Sequence, residues 1–238
     1  MTDLRDLVLE AHGATQWKRF RGLEGDMSIV GSLWARKGWP EVLKDVRVTV
    51  DIPGQQLSYQ PFTAEGLRSF YRPDLVAIDT VEGKRLRERA NPRTFFADHS
   101  PATPWDDLHL AYFSGYAMWN YLNTPFMFAL PGFSTEEIEP WNENGETWRR
   151  LKVTFPDSVA THSPEQVFYV GGDGLIARLD YFADVTGGIP TAHYMSDYRD
   201  FDGIKIPTRR RAYRRNPDGT PMANGLGVVI DIANVRFF

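Results

Sequence analysis

A chain of 238 residues with 42% apolar content has material for a sizeable core, and its formal charge of -4 gives no net attraction to phosphate backbones or anionic membrane. The absence of cysteine excludes disulfides, thiolate nucleophiles and Cys-containing metal clusters. Nucleic acid is therefore not an expected partner.

Leu4, Leu7, Val8, Ala11 and Ala14 recur at helical spacing and Trp17 and Phe20 extend the stripe, which predicts an amphipathic first helix ending near Gly22. Met1 to Phe20 carry no basic start, continuous apolar stretch or small-residue cleavage site, so a cytoplasmic location is expected. The pattern then changes to period two. Met27, Ile29, Gly31, Leu33 and Ala35 share one face, and Val46, Val48, Val50 and Ile52 alternate with Arg47, Thr49 and Asp51. Pro53-Gly54 turns the chain into Gln56 to Gln60, and Phe70-Tyr71, Leu75 to Ile78 and Arg85 to Arg89 predict further strands.

A helical insertion over about 103–141 interrupts this meander. Thr103 reads as its N-cap and Pro104 as its first helical position. Leu108, Tyr112, Tyr116 and Trp119 recur along one side, and Leu110, Phe113, Met118 and Tyr121 fill the others, as in a buried helix. Asp106, Asp107, His109, Asn120, Asn123 and Pro125 interrupt the stretch too often for a membrane span, so no stable membrane insertion is expected. Ser134-Thr135-Glu136-Glu137 has the form of a capping box opening a second short helix. Strands resume after Trp148: Leu151 to Phe155, Gln166 to Val170, Leu175 to Phe182, Thr191 to Phe201, Ile204 to Arg214 and Val228 to Phe237. Gly171-Gly172-Asp173-Gly174 is a hairpin signal. No linker, charge block or repeat divides the chain, and one domain over 1–238 is expected. The fold class expected from these patterns is mainly antiparallel β (α+β), with an N-terminal helix and a central aromatic-rich helical insertion.

No motif identifies a reaction. The five histidines are His12, His99, His109, His162 and His193. His193 and Asp197 share a strand face, with Asp180 on the preceding strand, but two strand residues four apart are about 13 Å distant and cannot chelate one ion together. No metal site or cofactor is expected. Thr161-His162-Ser163 puts Ser beside His, yet adjacent strand residues point to opposite faces, and there is no Gly-x-Ser-x-Gly elbow. Asp106-Asp107 and Glu136-Glu137 fall in predicted first turns of helices, where the dipole accounts for them. Arg209 and Arg211 lie on one strand face and Arg210 and Arg214 on the other, a split that disfavours nucleic acid while leaving one face able to offer arginines to an anionic head group.

The aromatic helix is the most unusual segment. Trp105, Tyr112, Tyr116, Trp119, Phe126 and Phe128, with Trp141 nearby, form either a bulky core plug or the wall of an apolar pocket, and both readings stay open. Ser114 and Gly115 in the same helix permit close packing or space.

The stretch from Asp197 to Thr208, a strand, an Asp202-Gly203 turn and a second strand carrying Pro207, together with the strand Gly174 to Tyr181, resembles the half-barrel proteins of the LolA/LolB-like superfamily, bacterial lipoprotein carriers and receptors. The resemblance implies that the antiparallel sheet is a curved half-barrel wrapped around the N-terminal helix and the central helical insertion, with an acyl chain or other apolar ligand between them. The function expected is thus a non-catalytic binding or carrier protein for a lipid or other apolar small molecule, contacted by Trp105, Tyr112, Tyr116, Trp119, Phe126, Phe128, Trp141, Tyr181 and His193. Two other classes stay open: an enzyme using His193 or His162 with nearby Asp and Tyr groups, and a scaffold binding protein through exposed aromatics.

Overall fold

The computed structural model describes residues 3–238. Asp3 caps the first helix, α1 (Leu4–His12), its carboxylate accepting the amides of Arg5 and Asp6. The helix ends at His12, ten residues before the expected end near Gly22, and the one-turn helix α2 (Ala14–Trp17) follows it. The break is at Gly13, which has φ +91° and whose Cβ, were it present, would lie 2.1 Å from the Gly203 carbonyl oxygen. Only a residue without a side chain fits that crossing.

Among the described residues, thirteen strands form one antiparallel sheet. The first meander comprises β1 (Gly22–Val30), β2 (Leu43–Asp51), β3 (Gln56–Gln60), β4 (Leu67–Arg72), β5 (Leu75–Thr80) and β6 (Arg85–Ala90), with a short helix α3 (Ser32–Arg36) between β1 and β2. The strand expected to run on to Ala35 stops at Val30, because Gly31 (φ +129°) turns the chain into α3. In β2 the alternation is realised residue by residue, with Val46, Val48 and Val50 buried and Arg47, Thr49 and Asp51 exposed.

The central helix α4 spans Asp107–Asn123. Its N-cap is Asp106, three residues after the expected Thr103. The Asp106 carboxylate accepts the His109 amide at 2.8 Å, and His109 Nδ1 accepts the Asp106 amide at 3.3 Å. An acid at the N-cap gives a stronger acceptor, while Thr103 Oγ1 accepts the Ser100 amide instead. A 3-10 turn over Phe126–Ala129 follows.

The second meander is β7 (Ser134–Glu143), β8 (Glu146–Thr154), β9 (Glu165–Val170), β10 (Ile176–Ala183), β11 (Ile189–Phe201), β12 (Ile204–Arg215) and β13 (Pro221–Phe237). The capping box read at Ser134–Glu137 is thus a strand. Its acids pair across to β8, Glu136 with Lys152 and Glu137 with Arg149, and Pro140 is tolerated because β7 is an edge. The last strand also starts seven residues before the expected Val228.

The two meanders join where the first strand pairs with the last, Leu23 opposite Phe237 and Ile29 opposite Ile230, leaving β6 and β7 as free edges. The sheet is therefore open. It is also strongly curved. The Tyr59 hydroxyl of β3 donates to the Ser114 carbonyl of α4 at 3.0 Å, and Arg210 of β12 donates to the Tyr121 carbonyl at 2.8 Å. Tyr181 of β10 bonds the same Tyr121 through its hydroxyl. From β3 to β10 is six strand spacings, roughly 29 Å if flat, whereas a helix is only about 10–12 Å across. A single helix can touch both only inside a bent sheet. Every residue of α4 except His109 is buried, as its all-round apolar pattern requires. Trp17 of α2 stacks on Phe126 at 4.2 Å, so the N-terminal helices meet the central insertion inside the half-barrel.

Gly115 is the closest approach of α4 to the sheet: a Cβ there would lie 2.5 Å from Tyr71 Cγ and 2.6 Å from Tyr71 Cβ. Gly115→Ala is expected to cost about 3 kcal/mol through overpacking, read as a lower urea midpoint at unchanged slope. An unchanged midpoint would mean that the helix can lift off Tyr71 without cost.

Candidate functional site

Two features lie side by side between α4 and the concave face: a buried tyrosine–histidine cluster and an apolar cavity. His162 sits in the loop between β8 and β9, between the two strands expected there, and it is buried against α4. Its Nδ1 is 3.0 Å from the Tyr116 hydroxyl and its Nε2 is 2.8 Å from the Tyr121 hydroxyl, which is 3.1 Å from the Tyr181 hydroxyl. The ring stacks on Tyr181 at 4.1 Å. Burial, reinforced by the Arg93 charge, lowers the His162 pKa to about 3. Burial likewise pushes the Tyr116 and Tyr121 hydroxyls far above their ordinary range. The imidazole is consequently neutral, one nitrogen donating and the other accepting. With both nitrogens engaged by tyrosines, the cluster fastens the β8–β9 loop to α4.

His193 of β11 lies behind this cluster, 4.7 Å from the Tyr121 ring, and neither ring nitrogen hydrogen-bonds to protein among the described residues. Burial and then Arg210 and His162 hold it well below the usual imidazole range. The His193–Asp197–Asp180 face expected from the strand pattern does not assemble. Asp197 has φ +55° and points to solvent beside Arg209, and Asp180 pairs with Arg178 on the opposite face of β10. Among the described residues no group of three His, Cys, Asp or Glu is placed to hold one ion.

The cavity opens beside this cluster. It encloses about 80 Å³, within a depression of about 690 Å³ counting its open mouth. Phe113, Ser114, Ala117, Met118 and Tyr121 of α4 form one wall, Leu33 and Trp34 of α3 another. Ile29 of β1, Val228 and Ile230 of β13, Ala212 of β12 and Tyr181 and Ala183 of β10 form the floor. The lining is mostly apolar, with Ser114, Thr186 and Thr191 among its polar members. Arg36 and Arg214 are its exposed charged members, at the mouth.

Of the nine residues expected to contact a ligand, Tyr181 lines this cavity, and Tyr116 and His193 stand one layer behind it. The others are distributed through the core. Trp105 packs under Lys37, 4.9 Å from ring centre to ammonium; Tyr112 packs on Tyr71; and Trp119 donates to the Asp51 carbonyl. Phe126 stacks on Trp17, Phe128 packs on Phe168, and Trp141 covers Arg178 on the far side of β10. The helix is thus both plug and wall: its bulkiest rings fill the core, and a narrower stripe at Phe113, Ala117 and Tyr121, four residues apart, faces the cavity. That spacing was present in the sequence, masked by larger aromatics on every side. Exposed apolar side chains such as Phe95, Leu130 and Phe182 are scattered over separate elements, two of them under arginines.

No family model matches the sequence, and no curated protein matches it. Among solved structures, the chain is similar to a LolA superfamily protein from Nitrosomonas europaea, with 11% identity and TM-score 0.54 over 98% of this chain and 93% of that one. It is similar to a DUF1329 family protein from Desulfovibrio piger, with 17% identity and TM-score 0.52 over 98% and 91%. A domain assigned to outer membrane lipoprotein sorting in Vibrio parahaemolyticus gives 10% identity and TM-score 0.53 over 98% and 91%. At such identities the likeness is one of fold: the open, curved, antiparallel half-barrel of LolA-like proteins. Among the described residues no helix is long and apolar enough to cross a membrane.

Proposed function

We propose that this chain is a non-catalytic binding or carrier protein for an apolar small molecule or lipid, seated between α3, α4 and the central strands. The apolar, solvent-connected cavity carries this reading. Its enclosed part is smaller than the roughly 300–1,000 Å³ of a typical ligand site. A ligand of lipid size would therefore extend through the mouth or displace the flexible Met118 and the half-buried Leu33. The half-barrel fold, shared with a domain assigned to lipoprotein sorting, is compatible with such a cargo, though the reading rests on the cavity.

The test is titration of the neutral fluorophore N-phenyl-1-naphthylamine, alongside mass spectrometry of an organic extract of the purified protein. Two substitutions fill the cavity: Ala117→Trp from the helix wall, and Gly227→Leu from the rim, where a Cβ meets nothing closer than 3.8 Å. Wild type is expected to bind the probe, and both variants to bind it at least about tenfold more weakly. Thermal melts confirm that each remains folded. Equal binding by folded variants would place the probe elsewhere, and the absence of both bound probe and extracted ligand would remove the carrier reading.

A further inference from the structure

Among the described residues, the mouth of the cavity carries two arginines without a carboxylate partner, unlike three arginines of the neighbouring strands. Arg47, Arg211 and Arg236, on β2, β12 and β13, each have a carboxylate within 2.9 Å. Arg36 and Arg214, at the mouth, have none within 4.0 Å among the described residues, and the Arg36 guanidinium hydrogen-bonds only the Ser32 hydroxyl, at 2.8 Å. Both side chains border the same cavity mouth, one from α3 and one from β12, and after burial the Arg214 charge also weakens proton binding at Arg36. Like charges held together without a counter-ion repel, and a bound anion relieves that repulsion while gaining two charge-assisted contacts.

The local backbone holds this arrangement in place. Ser32 Oγ donates to the Leu226 carbonyl at 3.0 Å, tying the start of α3 to β13, and Arg36 follows one turn later on the same side. On β12 the register against β13 shifts twice, between Ala212 and Tyr213 and between Tyr213 and Arg215. Such bulges re-aim side chains. Arg210, on the same strand face, is buried inside the half-barrel, whereas Arg214, after the first shift, stands exposed at the rim. Gly225 and Gly227 complete the rim, and at Gly227 a Cβ would lie 4.0 Å from Arg36 Nη2 and meet no side chain closer.

The geometry points to an amphiphile with one small anionic head group, a carboxylate or phosphate monoester, held by Arg36 and Arg214 while its apolar chain enters the cavity. This deepens, and rests on, the carrier reading. Guanidinium forks match the oxygens of both head groups, and neither requires a metal. A head-first orientation toward Arg210 is disfavoured because Arg210 is not among the residues lining the cavity, whereas Tyr121 and Tyr181, whose hydroxyls are 3.1 Å apart, are.

The test uses dodecanoate, dodecyl phosphate and dodecanol, each below its micelle concentration, displacing N-phenyl-1-naphthylamine from wild type and from the Arg36→Gln/Arg214→Gln double variant. Both arginines are exposed, so the variant is expected to fold, and its melting temperature checks this. Wild type should bind at least one anion about tenfold more tightly than the alcohol. The double variant should bind all three alike, with the alcohol affinity unchanged, and each single variant should fall between. The two anions separate a fatty-acid type of ligand from a phosphate-monoester type. An anion preference that is absent in wild type, or that survives the double substitution, overturns the head-group inference and leaves the cavity reading standing. Failure of all three compounds to displace the probe overturns both.

Discussion

Lowering the pH from 7 to 5 is expected to destabilise the fold by several kcal/mol, chiefly through three histidines that are buried in the neutral form. Burial lowers the His12 pKa to about 4 and the His162 pKa to about 3, and it holds His193 well below the ordinary value. In the unfolded chain each returns to about 6.5. A folded value below the unfolded one means that the native state binds fewer protons. The contribution is therefore complete above about pH 6.5 and is lost as the pH falls toward the folded values. Each site changes stability by at most about 1.4 kcal/mol per pH unit in that window. Three sites at pH 5 approach a large fraction of the roughly 5–15 kcal/mol that holds a domain together. His193 offers the sharpest check, because it lies against Tyr121, Tyr181 and Arg210 with no hydrogen bond from either nitrogen to protein. His193→Leu removes the titrating group without orphaning a partner. It should be near neutral at pH 7.5 and should reduce the loss of stability between pH 6.5 and 5 by about one third. Urea unfolding at stepped pH measures this, and an unchanged pH slope in the variant would show that His193 does not carry its share.

Much of the architecture is legible because strand periodicity is local. Val46 to Ile52 and Leu151 to Phe155 announce their faces within a few residues, and the Asp-Gly and Gly-rich turns fix where strands reverse. The errors come where a local signal was ambiguous and a distant partner decided it. Ser134-Thr135-Glu136-Glu137 satisfies the capping-box pattern, but Lys152 and Arg149 across the strand give its acids better partners. Thr103-Pro104 looks like a helix start, but Asp106 offers a carboxylate and His109 returns the bond. Leu33 and Ala35 continue the alternation of β1 in sequence, yet Gly31 had already turned the chain.

The site is less legible for a related reason. Ring size marks which residues are buried and leaves open what they are buried against. Trp105, Trp119 and Phe128 are large because the core between α4 and the sheet is deep. The cavity exists where the helix carries smaller groups, Ser114 and Ala117, opposite Ile29 and Val228 from strands nearly two hundred residues apart. His162 was visible as a candidate, but its convergence with Tyr116, Tyr121 and Tyr181 depends on a loop packing against a helix, which no short-range spacing records. Arg210 and Arg214 were separable from Arg209 and Arg211 by parity alone. The bulge that parts them into interior and rim was not.

Cutting the Arg178 cluster is expected to cost about 3–5 kcal/mol while leaving ligand binding unchanged. Arg178 is completely buried, donating from Nε to Asp180 Oδ1 at 2.7 Å, from Nη1 to Glu143 at 2.6 Å and from Nη2 to the Gly219 carbonyl at 2.5 Å. Tyr169 donates to Asp180 at 2.8 Å and Tyr194 to Glu143 at 2.6 Å. One guanidinium thereby joins the edge strand β7, the interior strand β10 and the β12–β13 turn, beneath the Trp141 ring. Arg178→Met leaves Asp180 and Glu143 poorly solvated and without their main counter-charge, the situation in which a buried pair costs most when broken. Adding Asp180→Asn and Glu143→Gln to Arg178→Met should recover part of the loss, since the remaining groups are neutral. Urea midpoints at pH 7 for the single and triple variants test this, and a single variant within about 1 kcal/mol of wild type would refute it. The separation from binding follows from strand geometry. Arg178 and Asp180 project from one face of β10, and Tyr181, one residue on, projects from the other into the cavity. Stability measured on one face and probe affinity on the other should therefore move independently in this strand.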